Sequence, residues 1–323
     1  MEFQQKLSKM LNFKKHQRQV FFTNDVETTS LQNHCLSDVT GKLVQDVGIP
    51  ALLELYKKYD VKTTFFITGY IAEKYPDLVR SIFEKGHEVG CHGYSHDSFL
   101  AFDVLSFDQQ LEHLTKAKNI LESIMGEEVI SFRAPALRVN RYTPLALKEA
   151  GFKIDSSVAP QRADMFLSFG SLKKLKWLTA PRHCYYTKLD DLSKKGNSGI
   201  FEIPVLAYIL PYIGTFMRIS PTLTKIIRRF ADFESRLLNH YPVFLIHPNE
   251  FIEEEVDLSK FRRRSKNIIS YYIGDKLRHK LKLKNLGSSA IPLMEEQLIF
   301  FKSKGYKCLT LKEHYENYMR SNL

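Results

Sequence analysis

The sequence has few of the residues that would indicate a disulfide-rich or thiolate-metal protein. It contains one Trp and four Cys in 323 residues, and no two cysteines form a C-x-x-C pair. Scattered cysteines argue against a disulfide framework and a thiolate zinc site, and they are typical of reduced thiols in a cytosolic protein. Any metal is therefore expected to be held by nitrogen and oxygen ligands.

Apolar runs long enough for export or for membrane insertion are also lacking. The stretch 1–19 has no apolar run of the ~7–15 residues that a secretory signal needs, which predicts a protein that is not secreted. The most apolar stretch, 200–219, is interrupted by charged residues, two prolines and a glycine, so it does not resemble the ~20-residue span of a transmembrane helix. We expect a cytoplasmic protein, at most peripheral at the inner face of the membrane.

Acidic residues are fewer than basic ones. Lys and Arg number 47 against 36 Asp and Glu, which gives a net charge of +11. This balance favours an anionic partner, which could be phospholipid, lipid-linked phosphate, acidic glycan or nucleic acid. Nucleic acid fits least, because basic and aromatic residues are not interleaved on a recognisable module, and no nucleic-acid partner is expected.

Two local stretches each allow two interpretations. The stretch 260–284 holds ten Lys or Arg and a single acid, Asp275. It is either a solvated face or a surface that attracts anionic lipid heads or a pyrophosphate-linked sugar. The run 206–219 is aromatic and apolar and ends in cationic residues. It is either an ordinary buried loop, or it lines a substrate groove or dips into an anionic membrane surface.

Short apolar runs that are rich in β-branched and aromatic residues alternate with segments of helical period. This alternation predicts an α/β fold with a mostly parallel sheet wrapped by helices. The predicted strands are 20–23, 63–67, 88–91, 130–133, 200–203, 243–246 and 306–309. The clearest helix is predicted over 107–125, with a capping box of Ser106 and Gln109 and a glycine stop at Gly126. We predict a single domain, 1–323, with insertions at about 161–199 and 257–288.

Reactive side chains follow four of the predicted strands. They are Asp25, Glu27, His92, His96, Arg133 and His247. Because active sites of α/β proteins gather at the carboxyl ends of the strands, these residues are expected to meet. Each motif alone is weak evidence, since H-x-x-x-H and D-x-E occur on many solvated turns, but their joint placement after successive strands favours a site.

The residue types suit metal-assisted hydrolysis. Two histidines four residues apart can face one cation, and a carboxylate from a neighbouring strand completes three ligands. A second carboxylate can then accept the proton of water, and a separate imidazole can protonate the leaving amine. Zinc is the first choice of divalent metal, and cobalt, nickel, manganese and iron stay open.

In this order the motifs resemble the polysaccharide deacetylase family, the NodB-homology or carbohydrate esterase type. The similarity runs from about residue 20 to residue 247, and it is most specific in T-T-F-F-I-T-G-Y-I-A-E-K-Y-P and G-H-E-V-G-C-H-G-Y-S-H. The resemblance implies a distorted (β/α)7 barrel with C-terminal insertions. It also implies metal-dependent removal of the N-acetyl group from an amino-sugar glycan.

The resemblance also implies residue roles. Glu27, His92 and His96 match the metal ligands, Asp25 the catalytic base and His247 the catalytic acid, and the exchange of Asp25 and Glu27 is left open. Arg133 matches the arginine that orients the base, and Asp155 matches the aspartate that hydrogen-bonds the acid histidine. Substrate contacts are expected at 134–136, that is at Ala134, Pro135 and Ala136.

Two features depart from the usual family pattern. D-x-E in place of two adjacent aspartates resembles a variant branch of the family, and Ala136 replaces the usual tyrosine, so any oxyanion contact there must come from backbone N–H groups. H-P-N-E-F after the acid histidine resembles the branch that acts on lipid-linked or exported glycans. The alternatives are a deformylase or cyclic-amide hydrolase on the same scaffold, and a non-catalytic glycan- or lipid-binding module.

Overall fold

The computed structural model describes residues 17–32, 35–97, 100–162, 172–254 and 277–321. Its strands are β1 (Gln19–Val26), β2 (Thr64–Ile67), β3 (Glu88–Cys91), β4 (Ser131–Phe132), β5 (Ile154–Asp155), β6 (Tyr185–Tyr186), β7 (Phe201–Glu202), β8 (Val243–Ile246) and β9 (Lys307–Cys308). Its α-helices are α1 (Asp38–Leu43), α2 (Ile49–Lys58), α3 (Gly69–Lys74), α4 (Pro76–Glu84), α5 (Phe107–Met125), α6 (Thr143–Glu149), α7 (Gly214–Ile219), α8 (Pro221–Leu238), α9 (Arg278–Lys282), α10 (Ala290–Ser303) and α11 (Leu311–Ser321).

All these strands belong to one sheet. Its order is β6-β7-β5-β4-β3-β2-β1-β8, and β9 pairs with the start of β1. Every pair is parallel except β6 with β7. The segment after β7 crosses towards β8, where the Leu206 N–H donates to the Val243 carbonyl at 3.1 Å and Ile213 pairs with Leu245. The sheet therefore curls on itself, and the predicted α/β barrel is confirmed.

The centre of the sheet is apolar on both faces. Phe21 and Phe22 of β1 and Phe65 and Phe66 of β2 are all fully buried, as expected of strands covered on both sides. Helix α5 has the predicted bounds, with both hydrogen bonds of the Ser106 capping box formed and Gly126 in the left-handed conformation. Local capping signals thus placed this helix correctly.

Strand ends differ from the prediction in one way that affects the site. β1 continues beyond residue 23 to Val26, so Asp25 lies inside the strand and pairs with Phe66 of β2. A carboxylate is tolerated there because Arg133 neutralises it inside the barrel. The two-residue strands β5 and β6 were not predicted, since such short pairings leave no run of apolar residues in the sequence.

The two stretches with open interpretations have different outcomes. Half of the run 206–219 is buried, including its terminal cation Arg218, whereas Ile209 is exposed, so the buried-loop interpretation fits only part of the run. Residues 255–276, which hold most of the basic stretch, lie outside the described residues. The insertions at 161–199 and 257–288 stay a prediction. Within the first of them, Trp177 is buried in the core. Within the described ranges, every helix is too short or too polar to cross a bilayer.

Candidate metal and catalytic centre

The predicted site residues meet at the end of the sheet where the parallel strands finish. Asp25 lies in β1, while His92, Arg133 and His247 directly follow β3, β4 and β8. The register is level across the strands, since Asn24 pairs with Ile246 and Cys91 with Phe132. Parallel pairing therefore brings residues that are distant in sequence to one edge.

Glu27, His92 and His96 are the centre of this cluster. One ligand atom from each lies within 4.8 Å of the others. Glu27 Oε2 is 2.8 Å from His96 Nε2. His92 Nδ1 is 2.8 Å from the Arg133 carbonyl oxygen, which orients the ring and directs Nε2 into the cluster. The His96 side chain is 19% exposed while Glu27 and His92 are buried, so the cluster is reached from the His96 side.

Gly93 allows the two histidines to converge. Its φ of +69° lies in the left-handed region, where a side chain is strained. A Cβ at this position would also meet the Phe102 ring at 3.0 Å and Pro135 at 3.4 Å. The glycine of H-G-Y-S-H is thus needed for the turn that places both imidazoles on one side.

The donor set fits a divalent cation. Among the described residues, His92 Nε2 is buried and has no hydrogen-bond partner. Buried polar atoms are rarely left unsatisfied unless they serve a ligand or a catalytic role. Two imidazole nitrogens and one carboxylate oxygen match the ligand preferences of zinc and of the neighbouring first-row metals.

Asp25 is held beside this cluster by a fully buried arginine. Arg133 Nη1 donates to Asp25 Oδ1 at 2.9 Å and to Thr23 Oγ1 at 2.7 Å. Arg133 Nε and Nη2 donate to the carbonyl and hydroxyl oxygens of Ser156 at 2.8 and 2.7 Å. The second oxygen, Asp25 Oδ2, faces His92 Nε2 at 3.9 Å. One carboxylate oxygen is therefore fixed and the other points towards the cluster.

His247 stands on the other side of the cluster, and its side chain is 23% exposed. His247 Nδ1 lies 3.1 Å from Glu250 Oε1. Glu250 Oε2 in turn accepts from Arg218 Nε at 2.7 Å, and Arg218 Nη1 donates to the carbonyl oxygens of Lys282 and Lys284 at 2.7 and 2.8 Å. A buried carboxylate and a buried guanidinium thus hold the imidazole.

Burial and charge set the protonation states. Burial raises the pKa of Glu27, but the positive charges of His96 and His247 outweigh it and lower the pKa to about 2. Burial lowers the pKa of His92 to about 4. Burial also opposes the charged form of His247, but its hydrogen bond to Glu250 and the negative charge of Glu27 raise the pKa to about 9. At neutral pH His92 is therefore a neutral ligand-type imidazole and His247 a protonated one.

The predicted contact between Asp155 and His247 is wrong. Asp155 accepts from Ser157 Oγ at 2.6 Å, and Ser157 Oγ accepts from the Ala134 N–H at 2.9 Å. Asp155 also lies beside Glu202, and burial together with the neighbouring Asp155 raises the pKa of Glu202 well above its usual range. Asp155 lies on β5 and His247 follows β8, and four strands lie between β5 and β8 in the sheet. The acid beside His247 is Glu250.

The three residues expected to contact substrate are not equivalent. Ala134 is buried with its N–H bound to Ser157, and Pro135 has no N–H and packs near Gly93. Ala136 is exposed and has a φ of +52°, a strained conformation for a residue with a side chain. A backbone oxyanion contact from Ala134 is therefore excluded by its existing bond, and the contact at Ala136 stays a prediction.

Glu250 and Arg218 had no predicted role. Glu250 could have been found from a local signal. A single turn of 3₁₀ helix, Pro248–Phe251, follows His247 and brings Glu250, three residues further on, next to it. Arg218 carried no such signal, since it is 32 residues from Glu250 and only the folded chain brings the two side chains together.

Comparisons with known proteins indicate the family that the sequence motifs resemble. Residues 42–154 match the polysaccharide deacetylase family. A peptidoglycan deacetylase of Helicobacter pylori is 34% identical over 118 residues, which are 36% of this chain and 39% of that protein. A peptidoglycan deacetylase-like protein of Gibberella zeae is 32% identical over 136 residues, 41% of this chain and 39% of the relative. The matched segments thus span well under half of either relative, and the predicted resemblance to this family is confirmed.

Solved structures show the same fold. A Mycobacterium smegmatis protein provisionally described as a polysaccharide deacetylase aligns with a TM-score of 0.60 at 21% identity, over 95% of this chain and 92% of that one. An allantoinase aligns with a TM-score of 0.56 at 14% identity, over 91% of this chain and 87% of that one. At such identities the likeness shows the fold alone. The D-x-E variant branch stays a prediction.

Proposed function

We propose that this chain, whose residues 42–154 match the polysaccharide deacetylase family, is a divalent-metal-dependent hydrolase that removes the N-acetyl group from an amino-sugar glycan or its lipid-linked precursor. The observation that carries the proposal is the meeting of Glu27, His92 and His96 with a carboxylate on one side and a protonated imidazole on the other. These are the parts that amide hydrolysis at neutral pH requires.

Glu27, His92 and His96 would hold the cation, with zinc as our first proposal. When bound, a divalent cation lowers the pKa of water and polarises the scissile carbonyl. Glu27 is suited to the ligand role because its pKa of about 2 keeps it ionised at neutral pH. His92 is suited because its ring is oriented by the Arg133 carbonyl and is neutral.

Asp25 is proposed as the general base. Arg133 occupies Oδ1, so Oδ2 is the oxygen that can take a proton from the attacking water. Because the guanidinium is itself held by both Ser156 oxygens, the carboxylate cannot rotate freely, and its lone pairs stay aimed at the cluster.

His247 is proposed as the general acid. Its raised pKa of about 9 keeps a proton available for the leaving amine at neutral pH. Because Glu250 contacts Nδ1, we propose that the proton transferred to the amine is the one on Nε2. Without that transfer the amine would have to leave as an anion, which is far less favourable.

The names of the relatives support an N-acetylated glycan as the substrate class, since they are peptidoglycan deacetylases. A lipid-linked glycan is proposed from the sequence motif after His247 and from the net charge of +11. The cytoplasmic location predicted from the sequence stays a prediction.

The test is metal analysis of the purified protein together with product release. Apo protein is reconstituted with zinc, cobalt, nickel, manganese or iron. It is then assayed for acetate from an N-acetylated oligosaccharide, formate from an N-formylated sugar and ring opening of a cyclic amide. Acetate release that depends on metal supports the proposal. Release of formate or ring opening alone would reassign the substrate, and full metal loading with no product from any substrate would favour a non-catalytic binding module.

A further inference from the structure

Helix α8 (Pro221–Leu238) turns large apolar side chains to solvent. Phe230 is 60% exposed and Phe233 is 61% exposed. The exposed apolar residues of this helix are Ile226, Phe230, Phe233, Leu237 and Leu238. Four of them follow one another at intervals of four, three and four residues, which places them in a single stripe along the helix.

This stripe is not the face that anchors the helix. Ile227 and Ala231 are buried in the core, and Arg228 on the same side donates to the carbonyl and carboxylate oxygens of Glu296 on α10. A surface helix of a soluble protein needs one apolar face towards the core. The second apolar face of α8 therefore has no packing role within the described chain, and such patches mark interaction sites.

A neighbouring loop extends the exposed stripe. The ring of Tyr208 lies 6.5 Å from the ring of Phe230, centroid to centroid, and the next residue, Ile209, is 73% exposed. We call the combined surface of Ile209, Ile226, Phe230, Phe233 and Leu237 the α8 apolar surface. Two separate elements, helix α8 and the loop that holds Ile209, contribute to this surface.

The exposed charged residues of α8 itself are cationic. Asp232 is buried and accepts from Arg236 and Tyr306. Glu234 is neutralised by an ion pair with Arg182 and also accepts from Tyr208. All 18 residues of α8 are described, and its exposed charged side chains are Lys225, Arg229 and Arg236.

A partner must therefore offer apolar groups for the stripe and negative charge for Arg229 beside it. A second copy of this chain does not, because it carries the same net charge of +11 and an isologous contact would bring the cationic residues of both copies to one interface. An anionic bilayer surface offers both. A helix with Phe and Leu on one face and Lys and Arg beside it lies in the membrane interface, with the apolar side chains at the acyl boundary.

We infer that the α8 apolar surface docks on an anionic lipid surface, with Phe230 and Phe233 entering the interface and Arg229 contacting lipid headgroups. Arg229 has no ion-pair partner among the described residues, whereas Lys225 and Arg236 each neighbour a carboxylate. This inference does not depend on the proposed deacetylase activity, because the α8 apolar surface does not include Glu27, His92 or His96.

The experiment is co-sedimentation of the full chain with vesicles. Phosphatidylcholine vesicles are compared with vesicles in which about one lipid in three is phosphatidylglycerol. The variants are Phe230→Ser with Phe233→Ser, and Arg229→Glu. The matched controls are Val39→Ser with Val104→Ser, which alters exposed apolar residues elsewhere, and Lys188→Glu. Thermal unfolding by circular dichroism checks that every variant is folded.

We expect partitioning onto anionic vesicles that exceeds partitioning onto neutral vesicles by about tenfold or more. The double serine variant should lose about tenfold or more of that binding, Arg229→Glu should lose severalfold, and both controls should keep it. Equal binding by the double serine variant would overturn the inference. So would the absence of vesicle binding together with a self-association, seen by analytical ultracentrifugation, that the double serine variant abolishes.

Discussion

His247 Nδ1 lies 3.1 Å from a carboxylate oxygen of Glu250, three residues further along the chain. The second carboxylate oxygen is bound by the buried guanidinium of Arg218, which the carbonyl oxygens of Lys282 and Lys284 hold in turn. The acid histidine is thus supported by its own turn and by a C-terminal segment. The family resemblance implied that Asp155 would support this histidine, but Glu250 does so instead.

Replacing Glu250 with Gln is expected to lower the pKa of His247, because the negative charge and the charge-assisted hydrogen bond are both lost. A general acid must be protonated, so activity falls as pH rises through its pKa. The alkaline limb of the pH profile of kcat/KM should therefore move to lower pH by about one unit or more, with kcat reduced about tenfold. An unchanged profile in a folded variant would show that Glu250 does not position the acid.

Replacing His92 with Ala is expected to remove bound metal and activity together. Loss of one of three protein ligands should weaken metal binding by at least about 100-fold. The control is His113→Ala, which alters a half-buried histidine of α5 outside the cluster. Metal content is measured on dialysed protein by mass spectrometry, and stoichiometric metal in the His92 variant would refute the ligand assignment.

Replacing Asp25 with Asn is expected to reduce kcat by roughly 10²–10⁴-fold, while the metal content stays nearly intact. The amide loses the proton-accepting oxygen but keeps the size of the carboxylate side chain. The paired variant is Glu27→Gln, which should lose metal. If the Asp25 variant is the metal-free one instead, the roles of the two acids are exchanged.

The pH dependence of stability can be tested at Glu234, away from the metal cluster. Burial raises the pKa of this carboxyl, but hydrogen bonds from His240, Arg182 and Tyr208 outweigh it and lower the pKa to about 2. Because the folded pKa lies below the usual value of 4.5, this group stabilises the fold above about pH 4.5. That contribution is lost as pH falls towards 2.

The measurement is urea unfolding at a pH of about 5.5 and at a pH of about 3. The native chain should lose more stability between these pH values than Glu234→Gln does, because glutamine does not titrate. Glu54→Gln, at an exposed position of α2, serves as the control and should follow the native chain. An equal loss in the native chain and in the Glu234 variant would contradict the assignment.

Features that depend on a few neighbouring residues could be predicted from the sequence. The bounds of α5 followed from its capping box and its terminal glycine. The pairing of His92 with His96 followed from their spacing, and Gly93, whose left-handed backbone makes the turn between them, permits it. The alternation of strands and helices was sufficient to predict a mostly parallel sheet, since parallel strands need helical crossovers, whereas the barrel was implied by the family resemblance.

Contacts between distant parts of the chain were decided only in the tertiary structure. Arg133 reaches Asp25 across 108 residues, and Arg218 reaches Glu250 across 32. The spacing of residues in the sequence does not predict such contacts, because they depend on how the sheet curves. The contact between Asp155 and His247 was implied by the family resemblance, and the folded chain has Glu250 in its place. The apolar face of α8 could not be recognised as exposed from its sequence alone.

By itself the sequence determined which chemical groups stand at the ends of the strands, because each motif is local and adjacent to its own strand. Only the folded chain decided which group meets which. The reason is physical: a hydrogen bond or an ion pair depends on distances of a few ångströms, and the curl of the sheet sets those distances for residues far apart in the chain.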